Sequence, residues 1–160
     1  MRDRFSQGLD NSSIQRPLSG IKGKAMFVTR KADFSASHVC RVPGLSDDEN
    51  RQLFGPEANP NGHGHNYVLE VTLEGDPDPV SGMVMDLKQL KDLLEQEVVG
   101  PMDHRFLNYE VVPFDRVVPT PENIAREIWR RLDARLSALG VTLAKVRLFE
   151  GADLYVDVLR

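Results

Sequence analysis

Several segments of the chain alternate apolar and polar residues with the period of two that is typical of β-strands. The clearest is Tyr67 to Glu74, in which every second residue is apolar, so that one face of the strand is buried. The same criterion predicts strands at Ala25 to Val39, Leu143 to Glu150 and Leu154 to Leu159. A short strand is also predicted from Gly82 to Asp86, after a turn rich in glycine and proline.

Two other segments place apolar residues at helical spacing. The first helix is predicted to begin after Asp86, which can cap it, and to end at Gly100-Pro101. The second begins at Thr120 and ends at Gly140, and a shorter helix is predicted within Ser46 to Phe54 from a Ser-x-x-Glu capping box. Strands that pair mostly with sequence neighbours, with two amphipathic helices over one face, predict an α+β sandwich.

Composition narrows the class of protein. The 160 residues suffice for one domain with a hydrophobic core, placed at residues 25–160, whereas the polar residues 1–24 are predicted to be a frayed tail and not a secretory signal. The net charge of −4 and the absence of a Lys/Arg cluster argue against nucleic acid as a partner. No apolar run reaches the ~20 residues that a membrane-spanning helix needs. The single cysteine, Cys40, excludes an internal disulfide and favours a cytoplasmic protein.

Three of the four histidines lie where neighbouring strands could bring them together. His63 and His65 flank Gly64, and in an extended backbone residues two apart project from the same face. His38 ends the first predicted strand. Three neutral nitrogen ligands without a second cysteine are typical of a catalytic Zn²⁺ with an open coordination position. An alternative is that His-Gly-His forms a turn with two solvated histidines, and spacing alone does not decide between these interpretations.

Separated segments, spread in order over residues 25–160, resemble the pyruvoyltetrahydropterin synthase family. They are Phe34–His38, Asn59–Tyr67, Gly82–Asp86, Pro101–His104, Pro119–Asn123 and the pair Phe149-Glu150. The resemblance implies the tunnelling fold, in which a four-stranded antiparallel sheet carries two helices on one face, three subunits close a barrel and two trimers form a homohexamer. It also implies Zn²⁺ held by His38, His63 and His65, active sites at subunit interfaces, and dihydroneopterin triphosphate as the substrate.

The resemblance assigns roles to further residues. Glu150 matches the acid that anchors the pterin, and a carboxylate can accept two parallel N–H bonds from the pyrimidinone edge. Thr120 and Glu122 match neighbouring pterin contacts, although capping of the second helix would also explain them. Asp103 and His104 match the acid/base pair, in which a carboxylate fixes the tautomer of the imidazole beside it. Without the resemblance, Glu150 would be interpreted as a surface charge and the Asp-His pair as a cap.

One position departs from the pattern of the synthases that make pyruvoyltetrahydropterin. In those enzymes a cysteine in the loop before the histidine pair acts as the base, and here Glu57 stands in its place. This substitution resembles a third class of paralogues and implies cleavage of the side chain to 6-hydroxymethyl-7,8-dihydropterin, a folate precursor, with Glu57 as the base. Cys40 lies two residues after His38, so it is either a relocated base, a fourth metal ligand or, the interpretation we favour, a small buried hydrophobic residue.

Three other functions remain open at this stage. The 6-pyruvoyltetrahydropterin synthase reaction and the 6-carboxytetrahydropterin synthase reaction of the queuosine pathway are both opposed by the missing cysteine. A non-catalytic pterin- or zinc-binding oligomer would retain Glu150 and the histidine ligands, but it could lose Glu57, Asp103 and His104. Because all three residues are present, the sequence favours an enzyme.

Overall fold

A computed structural model describes residues 24–160, so that residues 1–23 of the predicted tail lie outside the described part of the chain. The described residues form an α+β domain built on one five-stranded sheet. Its strands are β1 (Met26–His38), β2 (His63–Gly75), β3 (Arg105–Phe106), β4 (Thr142–Phe149) and β5 (Tyr155–Leu159). Their order in the sheet is β3-β1-β2-β4-β5. Four strands form an antiparallel meander, as predicted, and β3 adds a parallel edge to β1.

The helices connect and cover these strands. They are α1 (Asp47–Phe54), α2 (Leu87–Leu94), α3 (Gly100–Met102), α4 (Leu107–Glu110) and α5 (Pro121–Ala138). A 3₁₀ turn, Gly55–Ala58, follows α1, and a π-helical turn, Glu95–Val99, joins α2 to α3. Across residues 24–160, we find no helix with both the length and the apolarity needed to cross a bilayer.

The hydrophobic core lies between one face of the sheet and helices α2 and α5. The alternating residues of β2 that were predicted to face inwards are fully buried, and the apolar stripes of both helices pack against them. Burial of these side chains provides the main favourable contribution to folding. The core is formed chiefly by Tyr67, Leu69, Val71 and Leu73 of β2, Leu90, Leu94 and Val98 after Asp86, and Ile124, Ile128, Leu132 and Leu136 of α5.

Side-chain caps fix the starts of three helices where the sequence predicts them. Ser46 caps α1 through a reciprocal capping box, and its N–H donates to the carboxylate of Glu49 at 2.8 Å. Asp86 caps α2 by accepting a hydrogen bond of 2.7 Å from the N–H of Lys88. Thr120 accepts from the N–H of Asn123 and begins α5. These caps confirm the predicted helix starts.

The structure corrects two predictions of local structure. Gly82 to Asp86 is irregular backbone and not a strand: Gly82 has a φ of +72°, and its N–H donates back to the carbonyl of Asp78 and closes the preceding turn. The helix that begins after Asp86 does not end at Gly100-Pro101 but continues to Met102. In the π turn the N–H of Gly100 donates to the carbonyl of Glu95, and this wider backbone accommodates a proline ring that would clash in a regular α-helix.

Candidate metal centre

Strands β1 and β2 bring three histidines side by side at one end of the core. β2 begins at His63, four residues before the predicted start, so the His-Gly-His segment is part of a strand and not a turn. In the antiparallel register His38 lies opposite His63 and Ala36 lies opposite His65. The ring centroids of His38, His63 and His65 are consequently separated by only 4.4 to 5.1 Å.

The three imidazoles present unpartnered nitrogens to a common point. The Nε2 atoms of His38, His63 and His65 are buried, and none has a hydrogen-bond partner among the described residues. His38 Nδ1 donates to the carbonyl of Pro119 at 2.6 Å, so Nε2 of this ring carries the lone pair. Burial, together with the neighbouring imidazoles, lowers the pKa of His38 from 6.5 to about 4. Neutral imidazoles with converging lone pairs are the donor set that a divalent metal ion requires.

Two carboxylates flank the imidazoles on different sides. An oxygen of Glu57 contacts His63 Nε2, and the potential ligand atoms of Glu57 and the three histidines all lie within 4.8 Å of one another. Glu150 Oε1 lies 3.7 Å from Nε2 of both His38 and His65. Burial raises the pKa of Glu150, and the hydroxyl of Tyr67 donates to the same oxygen at 3.3 Å. The cluster therefore combines three nitrogen donors with one half-exposed and one largely buried carboxylate.

The loop that carries Glu57 is fixed to β1 by its backbone. The N–H of Cys40 donates to the carbonyl of Glu57 at 2.9 Å. At the end of the loop, Gly62 has a φ of +70°, and a Cβ atom there would meet the Phe106 ring at 2.7 Å and the His38 carbonyl at 2.9 Å. Only glycine fits this close approach. These contacts hold the main chain of the loop against the imidazole cluster.

The thiol of Cys40 is buried beside the cluster but does not belong to its ligand group. Burial raises the pKa of Cys40 to about 11, and the negative charges of Glu57 and Glu150 add to this effect. In the metal-free protein the thiol is therefore protonated near neutral pH, whereas a nucleophile, base or metal ligand would need the thiolate. Its surroundings support the interpretation of Cys40 as a small buried hydrophobic residue.

Asp103 and His104 form a hydrogen-bonded pair at the edge of the sheet. Asp103 accepts from His104 Nδ1 at 2.7 Å and from the N–H of Ser35 at 2.8 Å. These two hydrogen bonds, with that from Ser35 the stronger influence, lower the pKa of Asp103. His104 has a φ of +55°, and 83% of its side chain is exposed. The carboxylate thus orients an imidazole that projects into solvent from a left-handed backbone, a conformation that non-glycine residues seldom adopt.

Within one chain this pair does not meet the imidazole cluster. His104 lines a surface depression together with Ser35, Ser37 and Asn66, and His65 also borders it. Ser35, Ser37 and Asn66 alternate along β1 and β2 with the residues that point towards the cluster, so their side chains project from the opposite face of the sheet. Among the described residues, no hydrogen bond, ion pair or ring contact links His104 to the three imidazoles.

The remaining predicted residues lie at the start of α5. Thr120 caps this helix, and Glu122 lies in its first turn. Sequence reasoning missed Tyr67 and Pro119 as parts of the site. Tyr67 could have been found, because it follows His65 by two residues on the same face of β2. The carbonyl of Pro119 gives no signal in the sequence.

The buried neutral state of His38 predicts a specific pH dependence. In the metal-free protein the folded state binds this proton less readily than the unfolded state between pH 6.5 and about 4. The free energy of unfolding should therefore fall as the pH falls through this window, by on the order of 3 kcal/mol from His38 alone. Denaturant unfolding of the wild type and of His38→Asn, whose amide can still donate to Pro119, measures this contribution. Equal pH slopes in the two proteins would contradict it.

Comparison with known proteins tests the resemblance stated from the sequence. Residues 27–160 match the family model described as PTPS: 6-pyruvoyl tetrahydropterin synthase. The chain belongs to this family. It is 48% identical over 123 residues, 77% of this chain and 83% of the relative, to the 6-pyruvoyl tetrahydrobiopterin synthase of Pongo abelii. The solved 6-pyruvoyl tetrahydropterin synthase of Caenorhabditis elegans superposes with a TM-score of 0.80 at 38% identity, covering 86% of this chain and 96% of that one.

A more distant relative carries a different name. The chain is 34% identical over 135 residues, 84% of its length and 97% of the relative, to the dihydroneopterin monophosphate aldolase of Pyrococcus furiosus. The family match confirms the resemblance and the fold. Because synthases and an aldolase occur among the relatives, the choice of reaction depends on the residues of the site.

Proposed function

We propose that this protein is a metal-dependent lyase that acts on the side chain of dihydroneopterin triphosphate, with a 6-pyruvoyl tetrahydropterin as the first candidate product. The observation that carries the proposal is the set of three buried, unpartnered imidazole nitrogens with a carboxylate on either side. The identity of 48% to a relative named as a 6-pyruvoyl tetrahydrobiopterin synthase favours this product. We further propose that the enzyme is cytoplasmic.

His38, His63 and His65 would hold the ion, and their donor set fits Zn²⁺. When bound, Zn²⁺ supplies a Lewis acid that lowers the pKa of a hydroxyl on the substrate side chain. The hydrogen bond from His38 Nδ1 to the Pro119 carbonyl orients this ring and keeps its Nε2 lone pair directed into the site.

The pterin ring would be bound by Glu150, with Thr120 and Glu122 as neighbouring contacts. A carboxylate can accept two parallel hydrogen bonds from the amino-pyrimidinone edge of a pterin. Tyr67 restricts the orientation of the Glu150 carboxylate, since its fully buried hydroxyl donates to Oε1. Burial also raises the pKa of Tyr67, so that the hydroxyl remains a donor.

Asp103 and His104 would transfer protons to or from the substrate, because the ionised carboxylate holds Nδ1 and leaves Nε2 of His104 available. Among the described residues, this pair makes no hydrogen bond, ion pair or ring contact with the imidazoles, which supports an active site shared between subunits. We therefore propose a homohexamer, a dimer of trimers, in which each site takes its metal ligands from one chain and its Asp-His pair from another.

A second candidate reaction is cleavage of the side chain to 6-hydroxymethyl-7,8-dihydropterin, and Glu57 favours it. Glu57 would take the proton of the C2′ hydroxyl, a C2′ carbonyl would form, and the C1′–C2′ bond would break with its electrons passing to the ring system. C1′ would then be protonated. Glu57 lies within reach of the imidazole cluster, whereas the protonated thiol of Cys40 is unsuited to act as a base. The relative named as an aldolase also supports this candidate.

Product analysis by mass tests the proposal and separates the two candidates. The zinc-loaded protein is incubated with dihydroneopterin triphosphate, and pyruvoyl-, hydroxymethyl- and carboxy-pterin products are distinguished by their masses. A pyruvoyl product establishes the first candidate and a hydroxymethyl product the second, whereas a carboxy product would assign the queuosine branch. If the protein binds zinc and pterin but forms none of these products, it is a non-catalytic binding protein and the proposal is wrong.

Two variants test which residue is the base. We expect Glu57→Gln to lower turnover by about 10²–10⁴-fold, the range for loss of a general base. Cys40→Ser should keep turnover within a few-fold of the wild type, because the buried thiol is protonated. Steady-state kinetics on dihydroneopterin triphosphate measure both. Loss of turnover only in the cysteine variant would contradict the assignment of Glu57.

A further inference from the structure

We propose that Glu57 is a fourth, exchangeable ligand of the metal ion in the resting enzyme, a role that rests on the proposed function of the cluster and extends it. The contact between Glu57 and His63 supports this role. A carboxylate oxygen touches His63 Nε2, yet this nitrogen has no partner in hydrogen-bond geometry. Two electron-rich atoms repel at contact distance unless a proton or a cation lies near both. A proton on His63 would satisfy this pair alone, whereas a shared metal ion would also satisfy the buried, unpartnered Nε2 atoms of His38 and His65.

The side chain of Glu57 can move although its main chain cannot. Its main chain is fixed, since its carbonyl accepts from the N–H of Cys40 within the 3₁₀ turn Gly55–Ala58. Its carboxylate, by contrast, is 52% exposed, and among the described residues it forms an ion pair with His63 alone and no side-chain hydrogen bond. The carboxylate can therefore leave the cluster by side-chain rotation without moving the loop.

Glu150 provides the contrasting case within the same site. Its carboxylate is only 12% exposed and accepts a hydrogen bond from Tyr67, and its oxygen lies 3.7 Å from two of the Nε2 atoms. It does not belong to the group whose ligand atoms all lie within 4.8 Å of one another, whereas Glu57 does. The site thus holds a fixed carboxylate for recognition and a movable one for ligation.

This arrangement would couple substrate binding to base activation. Before substrate binds, Glu57 would hold the ion together with the three imidazoles. If the hydroxyls of the substrate side chain replaced it, its carboxylate would lie beside them and could accept a hydroxyl proton. The same residue would then protect the site before substrate arrives and act on the substrate afterwards.

The test compares Glu57→Gln with Glu150→Gln in the full-length protein. Zn²⁺ affinity is measured by competition with a chelator, and the coordination sphere is followed by the absorption spectrum of the Co²⁺-loaded protein, with neopterin as a substrate-like probe. Glu57→Gln should lower Zn²⁺ affinity by about 10–100-fold, the loss that is typical when a residue supporting a metal site is replaced. The substitution should also alter the Co²⁺ spectrum. Neopterin should change the spectrum of the wild type as Glu57 is displaced.

Glu150→Gln is the matched control, because it removes the same charge from the same site without removing a proposed ligand. We expect it to leave the Co²⁺ spectrum unchanged. Equal effects of the two substitutions would show that only charge matters and would overturn the proposal. An unchanged affinity and spectrum in Glu57→Gln would also overturn it, even if turnover were lost, in which case the base assignment would stand. Altered metal binding with normal turnover would instead confirm ligation and refute the base.

Discussion

The His65→Gln variant should lose its bound metal ion and, with it, almost all turnover of dihydroneopterin triphosphate. His65 contributes one of three converging Nε2 atoms, and its replacement removes one nitrogen donor from the set that would hold the ion. A metal ion acting as a Lewis acid stabilises the transition state by several kcal/mol, so its loss corresponds to a decrease in turnover of about 10³-fold or more. Elemental analysis of the purified variant, together with steady-state kinetics, measures both effects.

The fourth histidine of the chain supplies the control. His104→Gln should bind metal with the affinity of the wild type, because His104 makes no contact with the cluster within its own chain. Its turnover should nevertheless fall by about 10²–10⁴-fold through loss of proton transfer. If His65→Gln retained a full equivalent of tightly bound metal, the assignment of the metal centre would be wrong.

The parts of the fold that sequence reasoning predicted correctly depend on local physics. The alternation in β2 survives because one of its faces is buried by α2 and α5 over the whole length of the core. The helix starts at Asp86 and Thr120 were found because a side-chain cap acts within three residues of its own position.

The parts that were missed depend on contacts that are distant in sequence or on unusual backbone. β3 contains two residues, Arg105 and Phe106, and is defined only by its pairing with β1, almost 70 positions earlier. A strand of this length has no periodicity that could be detected. Gly100-Pro101 predicts a helix end because proline normally stops an α-helix, and the π turn before it changes the hydrogen-bond register that this rule assumes.

In the site, too, local spacing could be predicted from the sequence, whereas contacts between distant segments could not. The His-Gly-His spacing predicts a shared face for His63 and His65, but the sequence alone does not show whether this segment is a strand or a turn. The segment is a strand, because the register that pairs His38 with His63 extends β2 as far as the histidines. The roles of Asp103 and His104 came from the resemblance to a family, and their placement away from the imidazoles could not be predicted from spacing.

Because Asp103 and His104 lie away from the imidazoles of their own chain, we expect two variants that are inactive alone to regain activity when they form a mixed oligomer. If each site combines the imidazoles of one chain with the Asp-His pair of another, His65→Gln and His104→Gln damage different chains' contributions. In oligomers that contain both variants in equal amounts and at random, about a quarter of the sites receive both intact parts. Co-expression with two purification tags, followed by kinetics on the doubly tagged fraction, should recover turnover of that order.

The control co-expression combines His65→Gln with His63→Gln. Both substitutions damage the metal centre, so every site in such an oligomer is defective and no turnover should return. If the imidazoles and the Asp-His pair of the same chain formed one site, His65→Gln with His104→Gln would also remain inactive, because each chain would carry one lesion. Recovery in the first mixture and not in the second therefore requires a site completed by a second copy of the chain. We expect this result because the Asp-His pair makes no hydrogen bond or ion pair with the imidazoles among the described residues of one chain.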